Sequence, residues 1–193
     1  MKKILLIIFT IILILSINVL AVDIDLGCPA IDRSSSKGPG YTWINKTNPA
    51  NESGIIDTIE IYPWSDLENC EVAIFYLVAE DTLSTRDSVS LGTVTGGSKQ
   101  TFSELSIDVQ IGDFIGIYYT VGQLEAHTSD YDGVWYKSGD QIPCTDVTFS
   151  DYAGDALSLS GTGTTAVGWP HKWNTQTISK WNNKEFTKWN GLE

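Results

Sequence analysis

The sequence predicts an all-β protein built as an antiparallel sandwich or barrel. Three observations favour this fold class: apolar and polar side chains alternate over short segments, turn residues recur about every ten positions, and no segment shows a helical period. Roughly eight to ten short strands at this spacing, without helices between them, are typical of antiparallel two-sheet or barrel folds.

The clearest strands lie in the middle of the chain. Apolar residues alternate through 105–111 and again, after Gly112-Asp113, through 115–121. A period of two over that length indicates strands with one buried face. The segment 71–80, EVAIFYLVAE, is apolar at both parities, which predicts a central strand covered on both faces.

Turn signals separate these strands. Glycine, proline, asparagine and aspartate cluster where a chain reverses, because they tolerate the backbone angles of turns. Such clusters occur at 37–40, 48–51, 96–98, 112–113, 132–133, 139–140 and 154–155.

Composition divides the chain into four parts. Residues 1–21 join two lysines to an apolar run and end in a cleavage pattern at Ala21, which predicts a secretory signal peptide; an uncleaved anchor is the alternative. A β-sandwich domain is predicted at 22–163, a linker at 164–168 and a tail at 169–193. We expect a secreted or cell-surface protein that contacts a membrane only through an uncleaved signal.

The body is strongly acidic. Residues 22–168 carry 22 acidic and six basic side chains, a net charge of −16, whereas residues 169–193 carry +2. Nucleic acid is excluded as a partner, because proteins that bind it need a basic surface. The charge favours solubility and affinity for cations.

Cysteines at positions 28, 70 and 144 predict one disulfide in an exported chain. Three pairings are open, and each leaves one thiol free. A Cys28–Cys144 bond is the preferred pairing, because it would close the longest loop and constrain the unfolded chain most.

Several segments resemble a group of secreted or phage-associated β-sandwich proteins found mostly in environmental sequences. They are AIDRSSS (30–36), TNPANESGIIDTIEIY (47–62), IGDFIGIYY (111–119), SDYDGVWYKSGDQI (129–142) and AGDALSLSGTG (153–163). The KWN repeats of the tail also look like tails of such proteins. The resemblance covers most of the body and implies a jelly-roll-like sandwich at the surface of a cell or particle, with no assigned activity.

One acidic segment has the composition of a metal loop. Asp130 and Asp132 precede Gly133, as oxygen ligands do at the start of a calcium loop, although Gln141 stands where an EF-hand would have glutamate. A simpler calcium site at Asp130 and Asp132 is one interpretation. A plain turn, which suits the backbone preferences of aspartate and glycine, is the favoured one.

Aromatic rings are the other candidate site. Secreted sandwiches often bind sugars by stacking rings on apolar sugar faces, and the candidate ligand-binding rings are Trp43, Trp64, Tyr131 and Trp135. Trp135 and Tyr136 are adjacent, so in a strand one faces the core and the other solvent. Core packing is the commoner fate of any one ring.

No catalytic residues are predicted. The chain has no G-x-S-x-G nucleophile elbow, and Glu125 and His127, which would share a strand face, have no second histidine nearby in sequence. We therefore expect a non-enzymatic structural or adhesive surface protein without a cofactor other than calcium. A carbohydrate-binding module, with calcium assisting, is the alternative, and a hydrolase with two facing carboxylates is a third class.

The tail repeats Lys-Trp-Asn every eight residues. An even spacing puts the tryptophans at one strand parity and the lysines at the other: Trp173, Trp181, Trp189 and Lys172, Lys180, Lys188. Each repeat is expected to be a short strand and a turn, too little to be stable alone. The tail is therefore predicted to mediate self-association or attachment to a surface partner; a frayed tail is the alternative.

Overall fold

The computed structural model describes residues 21–165 and, in the tail, residues 180–181 and 184–185. Within 21–165 the strands are β1 (Asp23–Gly27), β2 (Ser35–Lys37), β3 (Tyr41–Asn45), β4 (Gly54–Ile61), β5 (Pro63–Ala79), β6 (Thr82–Val94), β7 (Gln100–Phe102), β8 (Ile107–Val109), β9 (Phe114–Tyr118), β10 (Val121–Ser138), β11 (Val147–Thr148), β12 (Ser150–Leu157) and β13 (Leu159–Thr164). Over the described ranges, no helix is long and apolar enough to cross a membrane. The predicted signal peptide, apart from Ala21, lies outside them.

Two antiparallel sheets pack against each other as a β-sandwich, which confirms the predicted fold class. Sheet A has the strand order β1-β13-β4-β7, with β8 also paired to β4. Sheet B has the order β11-β6-β5-β9-β3-β10-β12, with β2 also paired to β10. Buried apolar residues from both sheets, such as Ile56, Ile74 and Ile117, form the inner core between them.

The main strands follow jelly-roll pairing, in which the chain folds back on itself and pairs its first strand with its last. β1 pairs with β13, β3 with β9, β4 with β7 and β8, and β5 with β6. Between β9 and β13 the chain inserts β10 and β12, which extend sheet B beyond β3. This insertion makes sheet B wider than sheet A.

The middle of β5 is covered on both faces, but the prediction for the segment 71–80 is wrong at its end, where Leu77 and Val78 are 45% and 48% exposed. In β5, Val72 and Ile74 belong to the inner core, whereas Ala73 and Phe75 belong to a second apolar cluster. This outer cluster also contains Ile44, Leu83, Trp135, Ile142 and Phe149. The chain that follows β10 supplies part of the cover, so residues 72–75 of β5 are buried on both faces.

Two of the predicted turns are wrong. Asp132-Gly133 lies inside β10 and Gly154 lies inside β12, where shifts of register mark β-bulges. Gly133 and Gly154 have φ values of 101° and 84°, which suit glycine in a bulge as well as in a turn. The chain therefore continues as a long strand at both places, and β10 reaches 18 residues.

The predicted Cys28–Cys144 disulfide is also wrong, because the three cysteines are free. The backbone N–H of Cys28, just after β1 of sheet A, donates to the carbonyl of Leu159. Cys144 packs at the margin of the outer cluster of sheet B, where its N–H donates to Oγ1 of Thr85 at 3.0 Å. Cys28 therefore lies beside sheet A and Cys144 beside sheet B, and no disulfide joins them.

The tail contributes one small sheet to the described residues. β14 (Lys180–Trp181) pairs antiparallel with β15 (Lys184–Glu185), with Lys180 opposite Glu185 and Trp181 opposite Lys184. The second repeat thus has its lysine and tryptophan in a strand, as predicted. The other repeat residues, Trp173, Trp189, Lys172 and Lys188, lie outside the described residues, and so does most of the predicted linker.

Asn45 holds the corner at which the chain leaves sheet B for sheet A. Its Nδ2 donates to the carbonyls of Leu157 and Leu159 at 3.3 and 3.1 Å, and its Oδ1 accepts the N–H of Leu157 at 2.8 Å. These bonds satisfy buried backbone groups where the strand ladder changes sheet. Asn45 of β3 thereby fixes the end of β12, the outer strand of the insertion, against the jelly roll.

Asn45→Ala is expected to lower the free energy of unfolding by about 3 kcal/mol, because it leaves buried backbone groups without partners. Chemical denaturation measures this loss. Gln100→Ala is the control, since the Gln100 amide bonds only Ser98 at the surface. Equal losses in the two variants would contradict the role given to Asn45.

Candidate functional site

Four aromatic rings meet where the insertion widens sheet B. Tyr41 and Trp43 come from β3, Tyr136 from β10 and Tyr152 from β12, and we call this set the aromatic patch. The ladder sets Trp43 opposite Tyr136, and Tyr152 opposite Val134. Trp43 and Val134 both belong to the inner core, so the patch lies on the face of sheet B that is turned toward sheet A.

Each ring of the patch contacts at least one other ring of the patch. Trp43 stacks on Tyr136 with ring centroids 5.4 Å apart and an interplanar angle of 28°. Tyr41 lies 5.5 Å from Trp43, and Tyr152 meets Tyr136 edge-on at 6.1 Å. Such offset and edge-on pairs are favourable for aromatic quadrupoles, so the rings support each other as one surface.

The patch has a covered centre and an open rim. Trp43 is only 8% exposed, and its Nε1 donates to the carbonyl of Gly38 at 3.2 Å. Tyr41 and Tyr152 are 40% and 50% exposed. A ligand would therefore meet the rings of Tyr41 and Tyr152 at the rim, where Trp43 supports Tyr41 and Tyr136 supports Tyr152.

A buried ion pair lies beneath the patch. Lys37 Nζ contacts the carboxylate of Asp155 and lies 4.4 Å from the ring centroid of Tyr152 and 5.3 Å from that of Trp43. Asp155 has no exposed surface, and neither of its carboxylate oxygens accepts a hydrogen bond within the described chain. The ammonium group thus sits among a carboxylate and the faces of two rings, both of which attract a cation.

A second polar network joins the loop after β1 to the insertion. Glu125 is buried, and its Oε2 accepts the backbone N–H of Arg33 at 3.0 Å. The Arg33 side chain donates through Nε to Oγ of Ser158 at 2.7 Å and through a terminal nitrogen to the hydroxyl of Tyr131 at 3.1 Å. Burial raises the pKa of the Glu125 carboxyl, and the charge of Asp32 adds to the rise; the N–H and guanidinium of Arg33 oppose it.

Tyr131 and Trp64 differ in what surrounds them. Tyr131 is half-buried, with the Arg33 guanidinium 5.3 Å from its ring centroid and the His127 ring at 5.5 Å. Trp64 on β5 is 50% exposed, and no ring of the patch contacts it in the described chain. Of the predicted rings, only Trp43 belongs to the aromatic patch.

The ligand-binding role predicted for Trp135 is wrong. Its ring is 4% exposed, meets Phe114 edge-on at 4.9 Å, and donates from Nε1 to Asp81 at 2.8 Å. Tyr136 faces the other way, as expected for its neighbour in a strand. The ring that reaches toward a ligand surface is therefore Tyr136 rather than Trp135.

Asp130 and Asp132 are exposed on the bulged part of β10. Asp130 has a φ of 70° and accepts a hydrogen bond from Ser129, and the N–H of Asp132 donates to Thr47. Among the described residues, no group of three or more histidine, cysteine, aspartate or glutamate side chains is arranged to hold a metal ion. Calcium at Asp130 and Asp132 stays a prediction.

Sequence reasoning missed Tyr152 and the Lys37–Asp155 pair. The pattern Tyr41-Thr42-Trp43 does indicate two rings on one face, because alternate residues of a strand share a face. Tyr152 and Asp155 reach this face only because β12 pairs with the distant β10. No local pattern encodes that pairing.

The sequence matches no protein-family model, and a search of the curated proteins found no relative. The resemblance to secreted or phage-associated sandwich proteins therefore stays a prediction.

Glu125→Gln is expected to gain stability relative to the unchanged protein as pH rises. The folded state keeps Glu125 protonated to a higher pH than the unfolded chain, so it binds more protons between the ordinary carboxyl pKa and the raised one. The free energy of unfolding falls as pH rises through that window. Glutamine cannot ionise, and its side-chain oxygen can still accept the N–H of Arg33.

Denaturation curves taken at several pH values measure this effect. Glu80→Gln, at an exposed position, is the control. A stability difference between Glu125→Gln and the unchanged protein that is the same at every pH would contradict the prediction.

Proposed function

We propose that the chain is a non-enzymatic surface protein that adheres to neutral glycans through the aromatic patch. The single observation that carries the proposal is the convergence of four rings at the widened edge of the sandwich, with two of them at least 40% exposed. Aromatic faces bind the apolar C–H faces of sugars, and phenolic hydroxyls can bond sugar hydroxyls.

The electrostatics of the body favour a neutral ligand. The net charge of −16 over residues 22–168 repels sulfated or carboxylated glycans. Lys37, the cation nearest the rings, is already paired with Asp155 and is buried. Within residues 21–165, an anionic sugar would therefore find no unpaired cation in contact with the patch rings.

Rigidity supports the same proposal. Trp43, Tyr136 and Tyr41 pack on one another and stand on two strands joined by a regular ladder. A preformed surface loses little conformational entropy when a ligand binds, which raises affinity at a given contact area. Adhesion requires a protein outside the cell, and the support for that location is the predicted signal peptide at residues 1–21.

Tyr152→Ala is expected to weaken glycan binding about fivefold, because one exposed stacking ring contributes on the order of 1 kcal/mol. A glycan array identifies a ligand, and calorimetry with that glycan measures the loss. Trp64→Ala is the matched control, since Trp64 is equally exposed, at 50%, but lies outside the patch.

Two results would contradict this function: no binding to any neutral glycan, or loss of binding in Trp64→Ala with none in Tyr152→Ala. Repeating the titration with a chelator tests whether calcium takes part. We expect unchanged affinity, because the patch offers rings and phenolic hydroxyls rather than a set of free carboxylates.

A second role, in assembly or attachment, is proposed for the tail. The observation that favours it is the pairing of β14 with β15, which places Lys180 and Trp181 in a strand. A two-stranded hairpin is only marginally stable alone in water. Docking would bury tryptophan and bring a segment of charge +2 against a body of −16.

Deletion of residues 169–193 is expected to convert an oligomer into a monomer. Light scattering or analytical ultracentrifugation measures the mass in solution. Removal of residues 191–193 alone is the control, because it keeps all three KWN repeats. An unchanged mass and unchanged surface attachment after the longer deletion would exclude the role.

A further inference from the structure

The Lys37–Asp155 pair has an unusual environment for two charges. Both side chains are buried, at 10% and 0% exposure, and they touch each other directly. Neither carboxylate oxygen of Asp155 accepts a hydrogen bond from any residue that the structure describes. The rings of Tyr152 and Trp43 lie on the ammonium side, with centroids 4.4 and 5.3 Å from Nζ of Lys37.

A buried ion pair normally needs further hydrogen bonds. Taking an ammonium and a carboxylate out of water costs several kcal/mol for each ion, and attraction alone repays this only when the remaining lone pairs are satisfied. The Arg86–Asp113 pair of the same body meets this requirement: the guanidinium binds both carboxylate oxygens, and the N–H of Gln110 donates to one of them at 2.7 Å. Lys37 and Asp155 lack such support.

We propose that Lys37 and Asp155 are joined by an isopeptide bond that the folded protein forms by itself. The bond links Nζ of Lys37 to Cγ of Asp155 and replaces two buried charges with a neutral amide. This proposal does not depend on glycan binding, and each can fail without the other.

The reaction balances within the pair. The Lys37 ammonium passes one proton to the Asp155 carboxylate, which leaves a neutral amine beside a carboxylic acid. The Nζ lone pair then attacks Cγ, and a second proton moves from Nζ to the departing hydroxyl. The Cγ–O bond breaks, water leaves, and a secondary amide remains; no oxidant, reductant or other reactant is required.

The fold supplies the means of catalysis. Contact between the two groups gives an effective concentration that can reach the order of 10⁵ M for well-oriented partners. The rings of Trp43 and Tyr152 keep bulk water from the amine, which strips its hydration shell and slows the reverse hydrolysis. The backbone of Lys37 is held in turn, because its carbonyl accepts the hydroxyl of Tyr119 at 2.7 Å.

The bond would tie the short strand β2 to the insertion. β2 has three residues and pairs with β10 at 124–126, next to the point where β12 pairs with the same strand. A covalent link between β2 and β12 would close a loop across most of the body and so restrict the unfolded chain, as a disulfide does. With all three cysteines free, it would be the covalent brace of the described body.

Tryptic digestion of the denatured, unmodified protein followed by mass spectrometry tests the proposal. Trypsin cannot cut after an acylated Lys37, so we expect residues 34–46 to appear as one peptide, joined to the peptide that begins at residue 138 and contains Asp155. The mass of the branched product should be the sum of the two peptides less one water. Fragmentation should place the junction at Lys37 and Asp155.

Two comparisons make the result specific. Asp155→Ala should restore cleavage after Lys37 and abolish the branched peptide. The exposed pair Lys46–Asp151, with Nζ and Oδ1 3.0 Å apart, should yield no branched peptide, because both of its groups remain hydrated.

The digest of the unmodified protein decides the question even if Asp155→Ala does not fold. Free peptides 34–37 and 38–46 from most of the molecules, in a protein shown to be folded before digestion, would overturn the proposal. The branched peptide should form in any expression host and in reducing buffer, because no enzyme and no disulfide is involved.

Discussion

The register of β3 is the constraint on which the rest of the molecule depends. One edge of β3 pairs with β9 inside the jelly roll, and the other pairs with β10 of the insertion. Trp43 is therefore opposite Ile117 on one side and Tyr136 on the other. A slip of one residue would move Trp43 to the outer face and Ile44 to the inner one, which would break the core and the aromatic patch together. The burial of Ile44 in the outer cluster opposes such a slip.

The sequence pattern predicts which face of a strand is buried better than it predicts which strands pair with each other. The run of apolar residues at both parities through 71–80 indicated a strand buried on both sides, which is true of residues 72–75, whereas Leu77 and Val78 are exposed. The same reasoning showed that Trp135 and Tyr136 face opposite ways but not which one is covered, since the choice depends on Phe114 and Asp81 from other strands. The partners of a strand are set by contacts across most of the chain, and a local pattern carries no information about them.

Local glycine patterns also fail to distinguish between two structures, a turn and a β-bulge. Gly133 and Gly154 look like turn residues because a positive φ is what both turns and bulges require. Only the continued pairing of β10 with β12 on either side distinguishes the two structures. The wrong disulfide prediction has a related cause. The loop-closure argument ranks cysteine pairs by the number of residues between them, but the fold places Cys28 beside one sheet and Cys144 beside the other.

The bulges of the insertion also affect how molecules behave when crowded together. β12 is the last strand of its sheet, and a straight last strand offers a row of open N–H and C=O groups to any other chain. The kinks that accompany Gly133 and Gly154 interrupt that row, and the charged Asp151 stands beside it. Molecules at high concentration are thereby hindered from pairing with one another edge to edge into fibrils.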